Sequence, residues 1–453
     1  MSKGGPFSRN NNRLHMDGCD LSVIAETYGT PTYVYSRNDI VHRYERLDAA
    51  LGSLDHALHY AVKANSNLSI LRLFADLGAG FDIVSAGELE RVLIAGGDPK
   101  SVLFSGVGKR REEIAFALKV GIGCFNVESG AELDRLADQA ALLQRPAPVS
   151  IRVNPNVDAA THPYISTGLK DNKFGVPQEQ ALALYERARD HAYLDVIGID
   201  CHIGSQIAES GPLLDALQNL LALVDRLAEV GIELSHLDLG GGLGVRYHNE
   251  TEFDVESYGA ALRRALTGRK LKLLLEPGRF LVATGGVLLT RLQYLKPSDT
   301  LDGKSFAVVD AAMNDLIRPA LYQAHHDIEI VAATAAGAEE QAPRRWDIVG
   351  PVCESGDFLA QNRTLALHGG ELLAVHGAGA YGMVQASNYN SRGRAAEVLV
   401  EGDSHRRIRR RETLRDQIEH EIDDLERPVD SPADAPTHTA SIASAATAQE
   451  RRA

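Results

Sequence analysis

Between Leu51 and Arg279 the sequence repeats one pattern: a short apolar run ending in polar or glycine residues, then a stretch with helical spacing. Eight runs read as strands: ALHYAVKA (57–64), GFDIVSA (80–86), SVLFSGV (101–107), CFNVES (124–129), VSIRVNP (149–155), DVIGIDCHIGS (195–205), HLDLGGG (236–242) and LKLLLEPGR (271–279). Between them lie helical stretches such as LSILRLFADLG (68–78), AELDRLADQAALL (131–143) and PLLDALQNLLALVDRLAEVG (212–231). Eight strand-helix units in roughly 230 residues predict a (β/α)8 barrel. The alternative, an open doubly wound sheet, usually covers its edges with fewer units.

Outside that span the rhythm changes. Residues 1–20 are polar and expected to be loose, LSVIAETYG (21–29) has helical spacing, and TPTYVYS (30–36) alternates as a strand does. After Gly286 the runs VLLTRLQYL, SFAVVDA, IEIVAATA, DIVGPVC, ELLAVHGAGAYG and AAEVLV follow one another without regular helices, which predicts a second, mainly β domain. The expected division is a barrel over 37–282 and a β domain over 283–402 to which the segment 1–36 contributes. Leu414, Ile418, Ile422 and Leu425 recur at helical spacing, so 403–427 reads as one surface helix, its RRIRRR cluster solvated or facing another subunit. The tail 428–453, rich in Ala, Ser, Thr and Pro, is expected to be disordered.

Composition narrows the function classes. With 453 residues and 44% apolar content the chain can build two cores. A net charge of -14 argues against a nucleic-acid partner. Cys19, Cys124, Cys201 and Cys353 show no metal-binding or disulfide spacing, so no metal is expected and a reduced, cytoplasmic setting fits. No signal peptide and no membrane-spanning run are expected from the apolar pattern.

Barrel active sites gather at the C-terminal ends of the strands. There the sequence places Lys63, Asp82, Ser85, Ser105, Glu128, Arg152, His202, Ser205, Gly240 to Gly242 and Glu276 to Arg279. A lysine at the end of a buried strand either snorkels to the surface or works as a Schiff-base lysine whose amine is activated by a lowered pKa. The run LGGGLGV (239–245) is either a tight turn or a backbone cradle for an anion. Loops after strands seven and eight are the usual phosphate site of such barrels, and EPGR (276–279) supplies the second half. A phosphate opposite a lysine suggests pyridoxal 5'-phosphate. Its pyridine nitrogen needs a carboxylate, for which Glu276 is the candidate, and its ring needs a flat neighbour, for which His202 is placed.

These motifs resemble the barrel-type, fold type III pyridoxal-phosphate decarboxylases. The resemblance runs from about residue 20 to about residue 415 through YGTPTYVYS, YAVKAN, GFDIVSAGEL, FSGVGK, RVNPN, TGLKDNKFG, CHIGSQ, LDLGGGLGV, EPGR, DAAMNDLIRPALYQAHH, GPVCESGD and GAGAYGMVQASNYNSR. It implies that Lys63 carries the cofactor, His202 stacks on its ring and Glu276 holds its nitrogen, with Asp82 also at the cofactor and Arg152 near its phenolic oxygen. Ser205, Gly240, Gly241, Gly242, Gly278, Arg279 and Tyr381 are matched to the phosphate. Arg279, Arg318, Tyr322 and Tyr381 are matched to substrate binding, the first three at a distal carboxylate, and Glu354 to a distal ammonium. Cys353 is implied as the acid. The resemblance further implies a homodimer whose shared site takes Cys353, Glu354 and Tyr381 from the partner subunit.

Within the family the implied reaction is decarboxylation of meso-2,6-diaminopimelate to L-lysine and carbon dioxide. A substrate with an amino-acid group at each end needs paired cationic and anionic recognition. The alternative is a decarboxylase of another basic or D-amino acid such as ornithine, arginine or lysine, which has less need of Arg279, Arg318 and Tyr322. A racemase on the same barrel is disfavoured by CESGD, and a non-catalytic homologue by the retention of the cofactor residues. The 428–453 tail and VATGG (282–286) depart from the family pattern without touching this chemistry.

Overall fold

The chain enters through three short antiparallel strands, β1 (Phe7–Asn10), β2 (Arg13–Met16) and β3 (Cys19–Asp20). Their polar composition predicted a loose segment. They are ordered because Leu14 and Met16 are fully buried in an apolar cluster with Leu21, Ile24, Val287 and Leu289. The helix Leu21–Tyr28 follows, capped by Asp20, and then β4 (Thr32–Ser36), whose five residues are all buried. The computed structural model describes residues 5–158, 173–300, 303–332 and 342–425. The 428–453 tail and residues 167–172 of the TGLKDNKFG motif lie outside the described residues.

Each of the eight expected barrel strands is present: β5 (His56–Ala61), β6 (Gly80–Ile83), β7 (Val102–Phe104), β8 (Cys124–Val127), β9 (Ala147–Asn154), β11 (Leu194–Asp200), β12 (His236–Asp238) and β13 (Lys272–Leu275). A two-residue strand, β10 (Val176–Pro177), pairs with the end of β9. All neighbours run parallel, β13 pairs with β5 and β8 with β9, so the sheet closes into a (β/α)8 barrel. Strands buried on both faces need near-continuous apolar runs, which is why they were visible in the sequence. Side-chain caps start several of the outer helices: Asn67 caps Leu68–Asp76, Ser85 caps Ala86–Ala95 and Ser129 caps Gly130–Leu143. Ser85, a polar strand end in the sequence, is thus occupied with its helix.

The rest is the mainly β unit: β14 (Gly286–Lys296), β15 (Phe306–Val309), β16 (Ile328–Ile330), β17 (Arg344–Val349), β18 (Phe358–Leu365), β19 (Leu372–His376), β20 (Ala396–Glu401) and β21 (Ser404–Arg409). Strand β4 sits between β14, antiparallel to it, and β20, parallel to it. The expected 403–427 helix is corrected here. Arg406, Arg407 and Arg409 belong to β21, which pairs antiparallel with β20, and the helix spans only Leu414–Leu425. Arg409 Nε reaches the buried Glu397 at 2.5 Å, so pairing with a sheet carboxylate prevails over helical spacing.

Glu397 also ties the two units together. It accepts from Tyr35 Oη at 2.8 Å, on β4, and from Asn67 Nδ2 at 2.8 Å, at the start of the first barrel helix. Asn65 Nδ2 donates to the Gly379 carbonyl at 3.2 Å, and Tyr381 N to the Ala64 carbonyl at 2.8 Å. The loop that carries Lys63 is therefore stapled on both sides to the β unit.

Candidate active site

Lys63 lies in a short 3-10 turn, Val62–Ala64, directly after β5. Its Nζ donates to Asp82 Oδ2 at 2.8 Å; Asp82 is fully buried, whereas the lysine side chain is 36% exposed. Burial alone pulls the amine pKa down, but Asp82, Glu276 and Tyr381 outweigh it and the pKa is raised. The expectation of a lowered lysine pKa is corrected: acidic neighbours from other strands hold Lys63 as an ammonium.

Opposite the lysine, carboxyl oxygens of Asp200, Asp238 and Glu276 lie within 4.8 Å of one another, all buried. Burial first, then repulsion from Asp238, Asp82 and Asp200, raises the Glu276 pKa, and Lys63 only partly offsets this. Glu276 Oε1 receives weak hydrogen bonds from Ser105 Oγ and Asn126 Nδ2, both at 3.4 Å. Asp238 Oδ2 and Asp200 Oδ1 are buried without a partner, and burial first raises both pKa values, that of Asp238 to about 7. A positively charged ring nitrogen fits this end, because it would satisfy a carboxylate that the chain leaves crowded by its own kind.

His202 Nδ1 accepts from the Gly241 amide at 3.1 Å, which leaves the proton on Nε2. Burial and the charges of Arg152 and Lys63 hold this imidazole pKa well below its usual value, so it presents a neutral flat ring. Arg152 is buried in turn: Nη1 binds Glu128 Oε1 at 2.8 Å and Nη2 the His202 carbonyl at 3.4 Å.

The glycine run is demanded first by the protein's own backbone. A Cβ on Gly241 would stand 2.2 Å from the Glu276 carbonyl oxygen, and one on Gly242, at φ +97, 2.5 Å from that of Gly204. A Cβ on Gly278 would press on Ala61 and Ala64 beside the lysine turn. These glycines let the end of strand seven close against the ends of strands eight and six, and the end of strand eight against the lysine turn. Ser205 Oγ accepts from Arg279 Nη2 at 3.0 Å, which places it on the same rim.

Arg279 joins this rim to the β unit. Nη1 donates to Tyr247 Oη at 3.0 Å, and its guanidinium lies 4.7 Å from the Tyr381 ring centre. Arg318, from the short helix Arg318–Tyr322, stacks on Tyr247 at 4.5 Å and is buried, not surface-packed. Tyr322 contributes to the charge environment of Arg279, and its Oη accepts from Gln385 at 3.5 Å. Tyr381, held at φ +55, touches the Lys63 loop and Arg279 of its own chain. The expectation that a partner subunit supplies it is therefore corrected.

Cys353 and Glu354 are not brought into this group. Both are exposed; the Cys353 amide donates to Asn390 Oδ1 at 3.0 Å, and Glu354 Oε1 accepts from Tyr389 Oη at 2.5 Å. Sequence reasoning missed Tyr247, His326 and Asn126. Asn126 was visible as a polar residue inside a barrel strand, and Tyr247 as the aromatic just past the glycine run.

Residues 37–283 match a family model described as the pyridoxal binding domain of pyridoxal-dependent decarboxylases. A diaminopimelate decarboxylase of Pseudomonas aeruginosa is 59% identical, over 90% of this chain and 97% of its own length. One from Neisseria meningitidis serogroup B is 53% identical over 88% and 94%. Among solved structures, diaminopimelate decarboxylase from Helicobacter pylori complexed with L-lysine superposes with a TM-score of 0.85 at 41% identity, covering 90% of this chain and all of that one.

Proposed function

This chain belongs to the pyridoxal-dependent decarboxylases, and within them to the diaminopimelate decarboxylases, and on that premise we propose the following division of labour among its residues. The reaction is decarboxylation of meso-2,6-diaminopimelate to L-lysine and carbon dioxide, the last step of lysine biosynthesis, with pyridoxal 5'-phosphate as cofactor. The alternative substrates ornithine and arginine are not favoured, since relatives above 50% identity are diaminopimelate decarboxylases.

When bound, the cofactor supplies an electron sink for the pair left behind by the departing carboxylate. Lys63 would hold the cofactor's aldehyde carbon, and Asp82 holds the lysine amine in place at 2.8 Å. Glu276 binds the pyridine nitrogen, His202 backs the ring, and Asp82 and Arg152 fix the lysine and the phenolic edge. Ser205, Gly240, Gly241, Gly242, Gly278 and Arg279 hold the phosphate through hydroxyl and backbone groups, with Tyr381 of the same chain. The Arg279 and Arg318 side chains and Tyr322 receive the distal carboxylate.

Cys353 and Glu354 of the partner subunit complete the site in a homodimer, one as proton donor to the substrate α-carbon, the other at the distal ammonium. Their exposure supports this reading, since a side chain that serves another subunit faces outward in its own. The barrel over 37–282 and a β unit made of 1–36 and 283–402, extended by β21, complete the proposal. No described helix is long and apolar enough to cross a membrane, and a cytoplasmic location belongs to the same reading.

The observation that carries the proposal is Lys63 held by buried Asp82 across from buried Glu276. Carbon dioxide release measured side by side on meso-diaminopimelate, L-lysine, L-ornithine and L-arginine tests it. A preference for any substrate but the first defeats the distal-carboxylate assignment, and a colourless native protein defeats the cofactor site.

A further inference from the structure

Among the described residues the arginine pair is buried without a counter-charge. Arg279 and Arg318 are 8% and 6% exposed, and among the described residues their side-chain hydrogen bonds go to Tyr247, Ser205 and His326 rather than to a carboxylate. Arg279 Nε is buried with no partner. Two buried guanidiniums repel each other and are costly to keep dry unless an anion joins them. Something in the chain must hold them apart and aimed until it does.

Two neutral side chains meet that description. Tyr247 lies between the arginines: its hydroxyl receives Arg279 Nη1 at 3.0 Å, and its ring lies under the Arg318 guanidinium at 4.5 Å. Gly377, at φ +67, leaves the room this ring needs, since a Cβ there would come within 3.0 Å of Tyr247 Cε1. His326 stands edge-on to Tyr247, ring centres 5.5 Å apart. Its Nδ1 lies 2.7 Å from the His376 carbonyl and therefore carries the proton, so Nε2 offers its lone pair to Arg318 Nη1 at 3.0 Å. A guanidinium has only donors, so an acceptor is required at that point. Burial and Arg318 push the His326 pKa down to about 3, so the acceptor persists across the working pH range.

We propose that Tyr247 and His326 are positioning residues that set the spacing and aim of Arg279 and Arg318, and so make the site selective for a substrate with a carboxylate at its far end. The inference rests on the assignment of those two arginines in the proposed function. Tyr247 fixes the separation, His326 the direction, and the β19 carbonyl at His376 anchors His326 to the β sheet.

The test uses the holoenzyme with Tyr247→Phe, His326→Leu, His326→Gln and Arg318→Ala. KM and kcat are measured on meso-diaminopimelate, and inhibition constants for L-lysine and for cadaverine, which lacks the carboxylate. The KM and the L-lysine constant are expected to rise about 10-fold in Tyr247→Phe and His326→Leu, the scale of one lost hydrogen bond to a charged group. The kcat changes less, the cadaverine constant and the visible cofactor band stay at the parent values, and His326→Gln, whose amide oxygen still accepts, recovers most of the loss. If Arg318→Ala raises the L-lysine constant while Tyr247→Phe and His326→Leu do not, the arginines need no positioning and the inference is wrong. If Arg318→Ala itself leaves that constant unchanged, the fault lies in the assignment of the arginines. Loss of the cofactor band in both conservative variants makes the two residues structural and also overturns the inference.

Discussion

The two ends of the site confine like charges in opposite ways. At the deep end Asp82, Asp200, Asp238 and Glu276 crowd behind Lys63; at the seam between barrel and β unit Arg279 and Arg318 flank Tyr247. Carboxyls can take up protons to relieve repulsion, and burial, then repulsion from Asp238, raises the pKa of Glu276 and Asp200 in that direction. Guanidiniums cannot lose a proton in the working range. The acidic end can therefore settle its own charge in the empty protein, whereas the basic end stays unsatisfied until an anion arrives. One end is a reservoir and the other a receptor.

The largest effect is expected at the lysine that bridges the acidic cluster and the mouth. Lys63→Ala should abolish the visible absorption band and lower kcat by more than about 10³-fold, as expected for loss of a covalent attachment; a retained band disproves its role. Glu276→Gln is next. It should lower kcat about 10²-fold with little change in KM, because it weakens charge stabilisation at the ring without touching substrate recognition. Arg318→Ala should do the converse and raise KM about 10- to 100-fold, the range of a hydrogen-bonded charge lost from a buried site. If these two variants shift the same kinetic constant, the two ends are not separate in function.

Acid sharpens the contrast by acting elsewhere. His59, within β5, and His236, the first residue of β12, are buried, and burial lowers each pKa from 6.5 to about 4. Between those values the unfolded chain binds more protons than the folded one. Their contribution to stability is therefore complete above pH 6.5 and is lost as the pH falls toward 4. Each pH unit of that window costs on the order of 1 kcal/mol per histidine. Calorimetry at pH 6.5 and 5.5 should show a Tm lower by a few degrees at the more acid pH, with or without cofactor. A fall confined to the cofactor-free protein would place the acid-sensitive groups at the mouth instead.

Much of this architecture was legible in the sequence, and the exceptions share a physical cause. Barrel strands buried on both sides leave uninterrupted apolar runs, and the polar residues that end them mark the mouth. FLAQNRTL was not seen as β18, nor RRIRRR as part of β21, because both lie toward the edges of their sheet, with exposed positions that polar side chains fill. Lys63, Glu276 and His202 stood out because their chemistry is written in residue type and position. The charge state of Lys63 did not, since it depends on Asp82 and Glu276 arriving from other strands. Tyr247 and His326 were invisible for the same reason: a ring becomes a spacer only when two arginines from distant segments close on it.

The place of β4 has a consequence for the making of the protein. Its neighbours are β14 and β20, so Val34 pairs with Val287 and Val398, and a strand finished at the start of synthesis waits for partners from the far end of the chain. At usual translation rates of 5–20 residues per second the delay is on the order of half a minute. Until β14 is made both edges of TYVYS are open, and until β20 is made one still is, the kind of segment that recruits the wrong neighbour. The barrel can close while it waits, but the sheet that staples the catalytic loop cannot, so a nascent chain becomes competent only when almost all of it has been made.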